Sequence, residues 1–200
     1  MSVPRVAVIP VGRMDAAEVL GVLGRVSKVL RAPIDLRESA ALPRGTEDIA
    51  RGQHNAQAML APLRSEAPRL KPAKEIGGEA SAPSHPAPSP GALVFVTDVD
   101  LFTPATDAAI AELDAAHRAA LISVRRLREA FYRRKADPGK QRARLVKEIL
   151  RAVARVAGLP ECGNPDCALA PTRVVSDIDR KTEHYCAPCW KRLSLGTMRI

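Results

Sequence analysis

Short hydrophobic runs and helical repeats alternate along this chain. The run Val6–Ile9 predicts a first strand, and residues 15–31 follow with apolar side chains at helical spacing and Asp15 as the N-cap. Residues 34–36 fit a second short strand. The strongest strand is Ala92–Val96, because its continuous apolar run suits a buried position. This order of strands and helices predicts an α/β fold.

The remaining segments continue the alternation. Residues 46–64 are predicted to form a helix, with Ile49, Ala56, Met59 and Leu60 on one face. Three further segments follow, namely an amphipathic segment at 107–118, a strand at 119–124 and a basic, helical stretch at 125–134.

The clearest helix covers residues 140–157, after a turn at Asp137–Gly139. Its apolar residues fall on one side, Gly158 suits the position just after a helix end, and Pro160 prevents continuation.

Residues 65–90 differ in composition from the rest. The run SAPSHPAPSPG holds four prolines in eleven residues, which is typical of a flexible or extended loop. A domain linker is the alternative. The segments before it carry too few strands for a stable domain, so we expect a long surface loop within a single domain covering residues 1–200.

Composition limits the class of protein. Apolar residues make up 46% and charged residues 26% of the chain, which is typical of a globular protein and excludes collagen, coiled coil and wholesale disorder. Aromatic residues are only 3%, so the core must consist of aliphatic side chains. No apolar run reaches the roughly 18 residues that a membrane span needs. The N-terminus lacks a secretory pattern, so we expect a cytoplasmic protein with reduced thiols.

The four cysteines form two close pairs near the C-terminus, at Cys162, Cys167, Cys186 and Cys189. Two close pairs separated by 18 residues allow four thiolates to converge on one tetrahedral ion, and zinc is the natural candidate. Two disulfides, or a redox-active pair at Cys186 and Cys189, are the alternatives. A reducing compartment argues against the first, and the missing thioredoxin-type context argues against the second. Residues 162–189 therefore predict a structural zinc-binding segment.

The stretch from Lys147 to Cys189 resembles the archaemetzincin family of zinc metallopeptidases. That family carries an active-site helix with the pattern H-E-x-x-H-x-x-G-x-x-H-C, then x4-C-x-M and a distal C-x-x-C. The corresponding stretches here are RAVARVAGLPEC, GNPDCAL and the final CAPC, which keep Gly158 and all four cysteines. Arg51-Gly-Gln53, VFVTDVDLF and ALISVRRLREAFYRR also look like their counterparts. The resemblance implies a metzincin-like fold, a mixed β-sheet flanked by helices with a zinc-bound C-terminal tail.

The departures from the family pattern fall on the residues that the resemblance implies are catalytic. Arg151, Arg155 and Glu161 stand where the family has histidine ligands, and Ala152 stands where it has the catalytic glutamate. Leu169 replaces the methionine beneath the metal. Arginine stays protonated and cannot donate a lone pair to zinc, and alanine cannot accept a proton.

We therefore expect one structural zinc, no catalytic zinc and a pseudopeptidase that binds a peptide or an anionic partner in the old substrate cleft. A peptidase that uses an unrecognised site is the alternative from the enzyme class. His54, His85, His117 and His184 do not restore a ligand set, because no two lie at i,i+4 spacing.

Two further hypotheses concern charge. Arg144, Glu148, Arg151 and Arg155 lie on one side of the helix, either as a solvated face or with Glu161 held between Arg151 and Arg155. Residues 118–155 also hold 13 basic and 3 acidic residues, a net charge of +10. A basic stripe beside a zinc-bound tail makes a nucleic-acid-binding protein a third alternative, although few aromatic residues are available for stacking on bases.

Overall fold

The computed structural model describes residues 5–77 and 91–195. Its strands are β1 (Val6–Val11), β2 (Ile34–Arg37), β3 (Glu47–Asp48), β4 (Gln53–Asn55), β5 (Pro72–Ile76), β6 (Ala92–Thr97), β7 (Leu101–Thr103), β8 (Thr106–Ala109), β9 (Ala111–Asp114) and β10 (Ala119–Ser123). Its α-helices are α1 (Ala16–Leu30), α2 (Ala56–Glu66), α3 (Pro138–Val156), α4 (Val175–Arg180) and α5 (Ala187–Ser194).

The main sheet has six strands in the order β5-β2-β1-β6-β10-β9. Its four inner strands run parallel, and the edge strands β5 and β9 pair antiparallel with their neighbours. A smaller sheet follows the order β3-β4-β7-β8. The predicted α/β class and mixed sheet are confirmed.

The main sheet is covered on both faces. Alternating residues of β1, β6 and β10 point to opposite sides, as the pleat requires. One side packs against α1, α3 and the cysteine-bearing tail, and the other packs against α2 through Met59 and Leu63. The core is almost entirely aliphatic, as the low aromatic content predicts.

The predicted strands at Val6–Ile9, 34–36, Ala92–Val96 and 119–124 are all present. The helix at 15–31 is confirmed, and Asp15 caps α1 by accepting a hydrogen bond from the Ala17 backbone N–H at 2.8 Å.

The predicted helix at 46–64 is wrong in its first half. Residues 47–55 form the hairpin of β3 and β4, and Gly52 in its turn adopts a φ of 62°. Asn55 then caps α2 by accepting hydrogen bonds from the backbone N–H groups of Gln57 and Ala58. Ile49, which helical spacing assigned to an apolar face, is 88% exposed.

The prediction of a loop over residues 65–90 is wrong for its first part, which contains a strand. Residues 72–76 form β5, which covers the edge of β2. Residues 78–90, which hold the proline-rich run, lie outside the described residues.

Three other segments differ from the prediction. Residues 107–118 contain most of β8 and all of β9, residues 125–134 form two short 3₁₀ turns, and Asp137–Gly139 begins α3 instead of forming a separate turn. Within the described ranges, no helix is long and apolar enough to cross a membrane.

Candidate functional site

Helix α3 carries most of the site, and its ends are fixed by the sequence. The Asp137 carboxylate accepts a hydrogen bond from the Lys140 backbone N–H at 2.9 Å, and Pro138 occupies the first helical position, where it loses no hydrogen bond. At the other end Gly158 adopts a φ of 94°, which suits glycine. The helix packs against α1 on one side and runs beneath β9 and β10.

The structure brings the four predicted cysteines together. Their sulfur atoms all lie within 4.8 Å of one another, and the sulfurs of Cys162 and Cys186 are 3.7 Å apart. Zinc–sulfur bonds of about 2.3 Å in a tetrahedron place the sulfurs about 3.8 Å apart, so this cluster fits one zinc ion. Backbone N–H groups of Asn164 and Cys186 donate to two of the sulfurs, at 3.4 Å to Cys162 and 3.3 Å to Cys167.

Burial acts against free thiolates in this cluster. Burial, followed by the neighbouring sulfurs, raises the pKa of Cys189 far above its usual value. A divalent cation would reverse that preference, because it stabilises coordinating thiolates directly.

Two of the residues that depart from the family pattern, Arg151 and Glu161, form an ion pair. Arg151 donates a hydrogen bond from Nη2 to Glu161 Oε1 at 2.7 Å, and its Nη1 lies 3.7 Å from Glu148 Oε2. Arg155 does not join them, because its Nη1 donates to the Leu159 backbone oxygen at 2.5 Å. The hypothesis of a carboxylate between two arginines is therefore correct for Arg151 and wrong for Arg155.

The alternative of a solvated face on α3 is also wrong. Arg144, Glu148 and Arg151 are all buried. Arg144 donates two hydrogen bonds to the Asp179 carboxylate at 2.7 Å and lies 2.6 Å from Glu129 Oε1. This face therefore anchors the C-terminal tail instead of meeting solvent.

Glu148 is the centre of a second buried network. Its Oε1 accepts a hydrogen bond from the Thr172 hydroxyl at 2.6 Å and another from Lys181 Nζ at 3.3 Å. The side chains of Glu148 and Lys181 are both inaccessible to solvent. Burial lowers the pKa of Lys181, and the charge of Glu148 opposes that shift.

A cleft of about 450 Å³ lies above this network. Its walls are the β8–β9 segment on one side and α3 with residues 172–173 on the other, so that Glu148 and Arg151 line the same cleft as Thr103, Thr106 and Thr172. A separate cavity of about 340 Å³ beside the cysteines is lined in part by Glu161. The Arg151–Glu161 ion pair therefore lies between the two cavities.

Three segments that support the family resemblance meet beside the cleft. Gln53 donates to Asp100 Oδ2 and to the Asp107 backbone oxygen, both at 2.8 Å. Arg126 donates to both oxygens of Asp100 at 2.7 and 2.8 Å. These contacts fix the start of β8, and no local sequence pattern indicates them.

The histidines are not brought together. His54 is buried and lies 3.1 Å from the Thr46 hydroxyl, and His117, beside Asp114, and His184 are exposed. His85 lies outside the described residues. In the described part of the chain, the four cysteines are the only group of three or more histidine, cysteine or acidic residues placed to hold a metal.

Comparison with known proteins agrees with this arrangement. The family model described as Peptidase family M54 matches residues 92–195. The archaemetzincins of Methanocaldococcus jannaschii and Thermococcus kodakarensis are each 32% identical, over 98 and 102 residues. These matches cover 49% and 51% of this chain, and they span 55% of the length of each relative.

Solved structures match over nearly the whole chain. A zinc-dependent peptidase from Methanocorpusculum labreanum aligns with a TM-score of 0.77 and 24% identity, covering 94% of this chain and all of that chain. An archaemetzincin from Methanopyrus kandleri aligns with a TM-score of 0.71 and 22% identity, covering 95% of this chain and 93% of that chain. At these identities the alignments establish the shared fold.

Proposed function

Because the chain belongs to the archaemetzincin family, peptidase family M54, we propose that it is a pseudopeptidase, which keeps the peptide cleft but has lost metal-dependent hydrolysis. The observation that carries the proposal is the Arg151 guanidinium, which bonds to Glu161 at 2.7 Å and lies 3.7 Å from Glu148. These residues stand at or beside the positions of the family's histidine ligands. A permanent cation there repels a metal ion and offers it no lone pair.

The general base is missing as well. Metal-assisted hydrolysis needs a group that accepts the proton of the attacking water, and Ala152 cannot do so. Glu161 is the one carboxylate at the degenerate positions, and Arg151 already holds it. A lone carboxylate bound to a guanidinium does not make a zinc site.

The cleft retains a strand edge to which a peptide can add. The Ser123 backbone N–H donates to the Ile110 oxygen at 2.9 Å, and β9 pairs in register with β10 beyond that point. In an antiparallel ladder, hydrogen-bonded pairs alternate with pairs whose polar groups face away. The backbone groups of Ala111 and Leu113 therefore point to the open edge, where an extended peptide would add a strand.

Charge on the opposite wall favours an acidic peptide. Arg151 and Arg173 both line the cleft, but Arg151 is paired with Glu161 and Glu148 with Lys181, so the charge without an ion-pair partner among the described residues on this wall is that of Arg173. Burial raises the pKa of Glu112, the remaining carboxyl group of the lining. A peptide side chain that carries a carboxylate would meet the Arg173 guanidinium, with which it forms charge-assisted hydrogen bonds.

We assign the four-cysteine cluster a structural zinc. All four ligand positions are filled by sulfur, so no position remains for water or substrate. Cys189 and Leu193 pack into the same core as α3, so the zinc would hold the tail on which Thr172 and Arg173 lie.

Metal counting combined with a peptidase assay tests the proposal. We expect about one zinc per chain and no cleavage of casein or of a fluorogenic peptide library. The quadruple variant Arg151→His, Ala152→Glu, Arg155→His and Glu161→His restores the family pattern and should bind about two zinc ions per chain. Two zinc ions in the unmodified protein, or cleavage that a chelator blocks, would show a working peptidase instead.

A further inference from the structure

A second groove lies between the C-terminal end of α1 and the start of α5. Its volume is about 440 Å³, which falls in the range of small-molecule sites. Its lining includes Lys28, Arg31, His184, Tyr185 and Trp190. None of the lining residues in the described structure is acidic, and the cleft above α3 lies elsewhere on the molecule with a different lining.

Arg31 is held in an unusual conformation at this groove. It is the C-cap of α1 with a φ of 52°, a left-handed conformation that costs a residue other than glycine roughly 1 kcal/mol. Its guanidinium lies over the Trp190 ring, 5.2 Å from the ring centroid. Within the described residues, that guanidinium makes no hydrogen bond or ion pair, so its N–H groups stay available to a ligand.

Trp190 gives the groove a fixed aromatic wall. Its ring stacks on Tyr185 at a centroid distance of 6.4 Å and an angle of 21°. The Tyr185 hydroxyl donates to the Leu150 backbone oxygen at 2.6 Å, which ties the stack to α3. The wall is therefore rigid before any ligand arrives, and little conformational entropy is lost on binding.

We propose that this groove binds a nucleotide unit. The base would stack on the outer face of the exposed Arg31 guanidinium, which itself lies over the Trp190 ring, since bases stack on guanidinium planes. The phosphate would meet Arg31 and Lys28, which lie three residues apart and line the same groove. The net charge of +9 for the whole chain favours the approach of such an anion.

The nucleotide unit has two sources, a free mononucleotide or a single-stranded nucleic acid. Trp190 is the only tryptophan in the chain, so its fluorescence reports on this groove alone. We would titrate the full-length, zinc-loaded protein with AMP, with adenosine, with inorganic phosphate and with a six-nucleotide oligo(dA). We expect AMP or the oligonucleotide to change Trp190 fluorescence in a saturable manner, and adenosine and phosphate to bind much more weakly.

The variant Arg31→Asn removes the guanidinium and keeps a residue that tolerates the left-handed conformation. It should weaken binding about tenfold, because it removes charge-assisted hydrogen bonds to the phosphate. Arg118→Asn is the matched control, since Arg118 is also exposed and has a similar φ of 51°. It lies directly before β10, three strands away in the sheet from β2, the strand that follows Arg31. The control should change the affinity less than about twofold if the effect is local and not one of overall charge.

The outcomes separate the sources and test the proposal itself. Tighter binding of the oligonucleotide, with affinity that falls steeply with salt, identifies a nucleic acid strand as the ligand. Equal or tighter binding of AMP identifies a free nucleotide. A saturable response to neither, equal weakening by both variants, or phosphate binding as tightly as AMP would overturn the proposal. None of these results depends on the peptide cleft or on peptidase activity.

Discussion

Arg144 is the largest side chain that the fold buries completely among the described residues. It lies between the carboxylates of Asp179 and Glu129 and also donates to the Leu127 backbone oxygen at 2.7 Å. A buried ion pair contributes little net stability compared with an apolar pair, because desolvation offsets the attraction. Removing only the cation is different, since the buried Glu129 carboxylate and the partly exposed Asp179 carboxylate then lose their main partner.

Substitution of Arg144 should therefore be severely destabilising. We expect Arg144→Leu to lower the free energy of unfolding by about 3–5 kcal/mol, measured by urea denaturation followed by circular dichroism. Arg142→Leu is the control, because Arg142 lies on the same helix and is exposed. It should change stability by less than about 0.5 kcal/mol. Equal losses in the two variants would contradict the role assigned to Arg144.

The same cluster predicts a dependence of stability on pH. Burial alone would raise the pKa of Asp179 and of Glu129, but the hydrogen bonds and charge of Arg144 prevail and lower both. Each carboxyl group binds protons less readily in the folded than in the unfolded state. Its contribution is therefore fully present above the unfolded pKa, about 4, and is lost as the pH falls through the lower folded value.

Urea denaturation between pH 6 and pH 2.5 measures this dependence. The unmodified protein should lose stability steadily as the pH falls, and Arg144→Leu should show a weaker dependence. Parallel pH profiles for the two proteins would show that other carboxyl groups dominate acid unfolding.

At the scale of elements, the sequence predicts those helices and strands that depend on interactions between residues close together in the chain. β1, α1, β6 and α3 follow from apolar periodicity and caps, and the cysteine spacing predicted the cluster. The hairpin at 47–55 was missed because a turn at Gly52 and a cap at Asn55 override helical spacing. The Lys181–Glu148 and Gln53–Asp100 contacts join residues 33 and 47 positions apart, so no local pattern can indicate them.

The open edge of β9 leads to a prediction about peptide binding. Ala111→Pro removes the outward N–H of the strand while the ladder to β10 is kept, because proline is tolerated at sheet edges. We expect it to weaken binding of a fluorescein-labelled peptide of alternating valine and glutamate by about three- to tenfold, measured by anisotropy. Ala111→Val keeps the N–H group and should bind nearly as well as the unmodified protein. An unchanged affinity for the proline variant would mean that the peptide does not pair with β9.

At the scale of the whole molecule, two sets of interactions hold the C-terminal tail against the rest of the fold. Ion pairs from Asp179 and Lys181 reach α3, and the four-cysteine cluster lies at the end of that helix. Residues 172–173, which wall the cleft, lie between these attachments. Loss of zinc should therefore loosen both the tail and one wall of the cleft.

Disruption of the zinc site should be visible in overall stability. We expect Cys189→Ser to lose the zinc and to lower the thermal midpoint by about 6–12 °C, the shift that corresponds to about 3 kcal/mol for a chain of this size. His184→Ala is the control, because His184 is exposed within the same tail and is not part of the cluster. It should keep about one zinc per chain and an unchanged midpoint. A Cys189→Ser variant with an unchanged midpoint would show that the cluster does not support the fold.

The guanidinium of Arg151 between Glu148 and Glu161 has a consequence for how this protein depends on its surroundings. A metal ion at such a place binds reversibly, so its occupancy varies with metal concentration and with competing binders. The Arg151 guanidinium is part of the polypeptide and is therefore present in every molecule. The ion pairs at the floor of the cleft therefore need no metal ion of their own, whereas the wall at residues 172–173 still depends on the zinc proposed for the four cysteines.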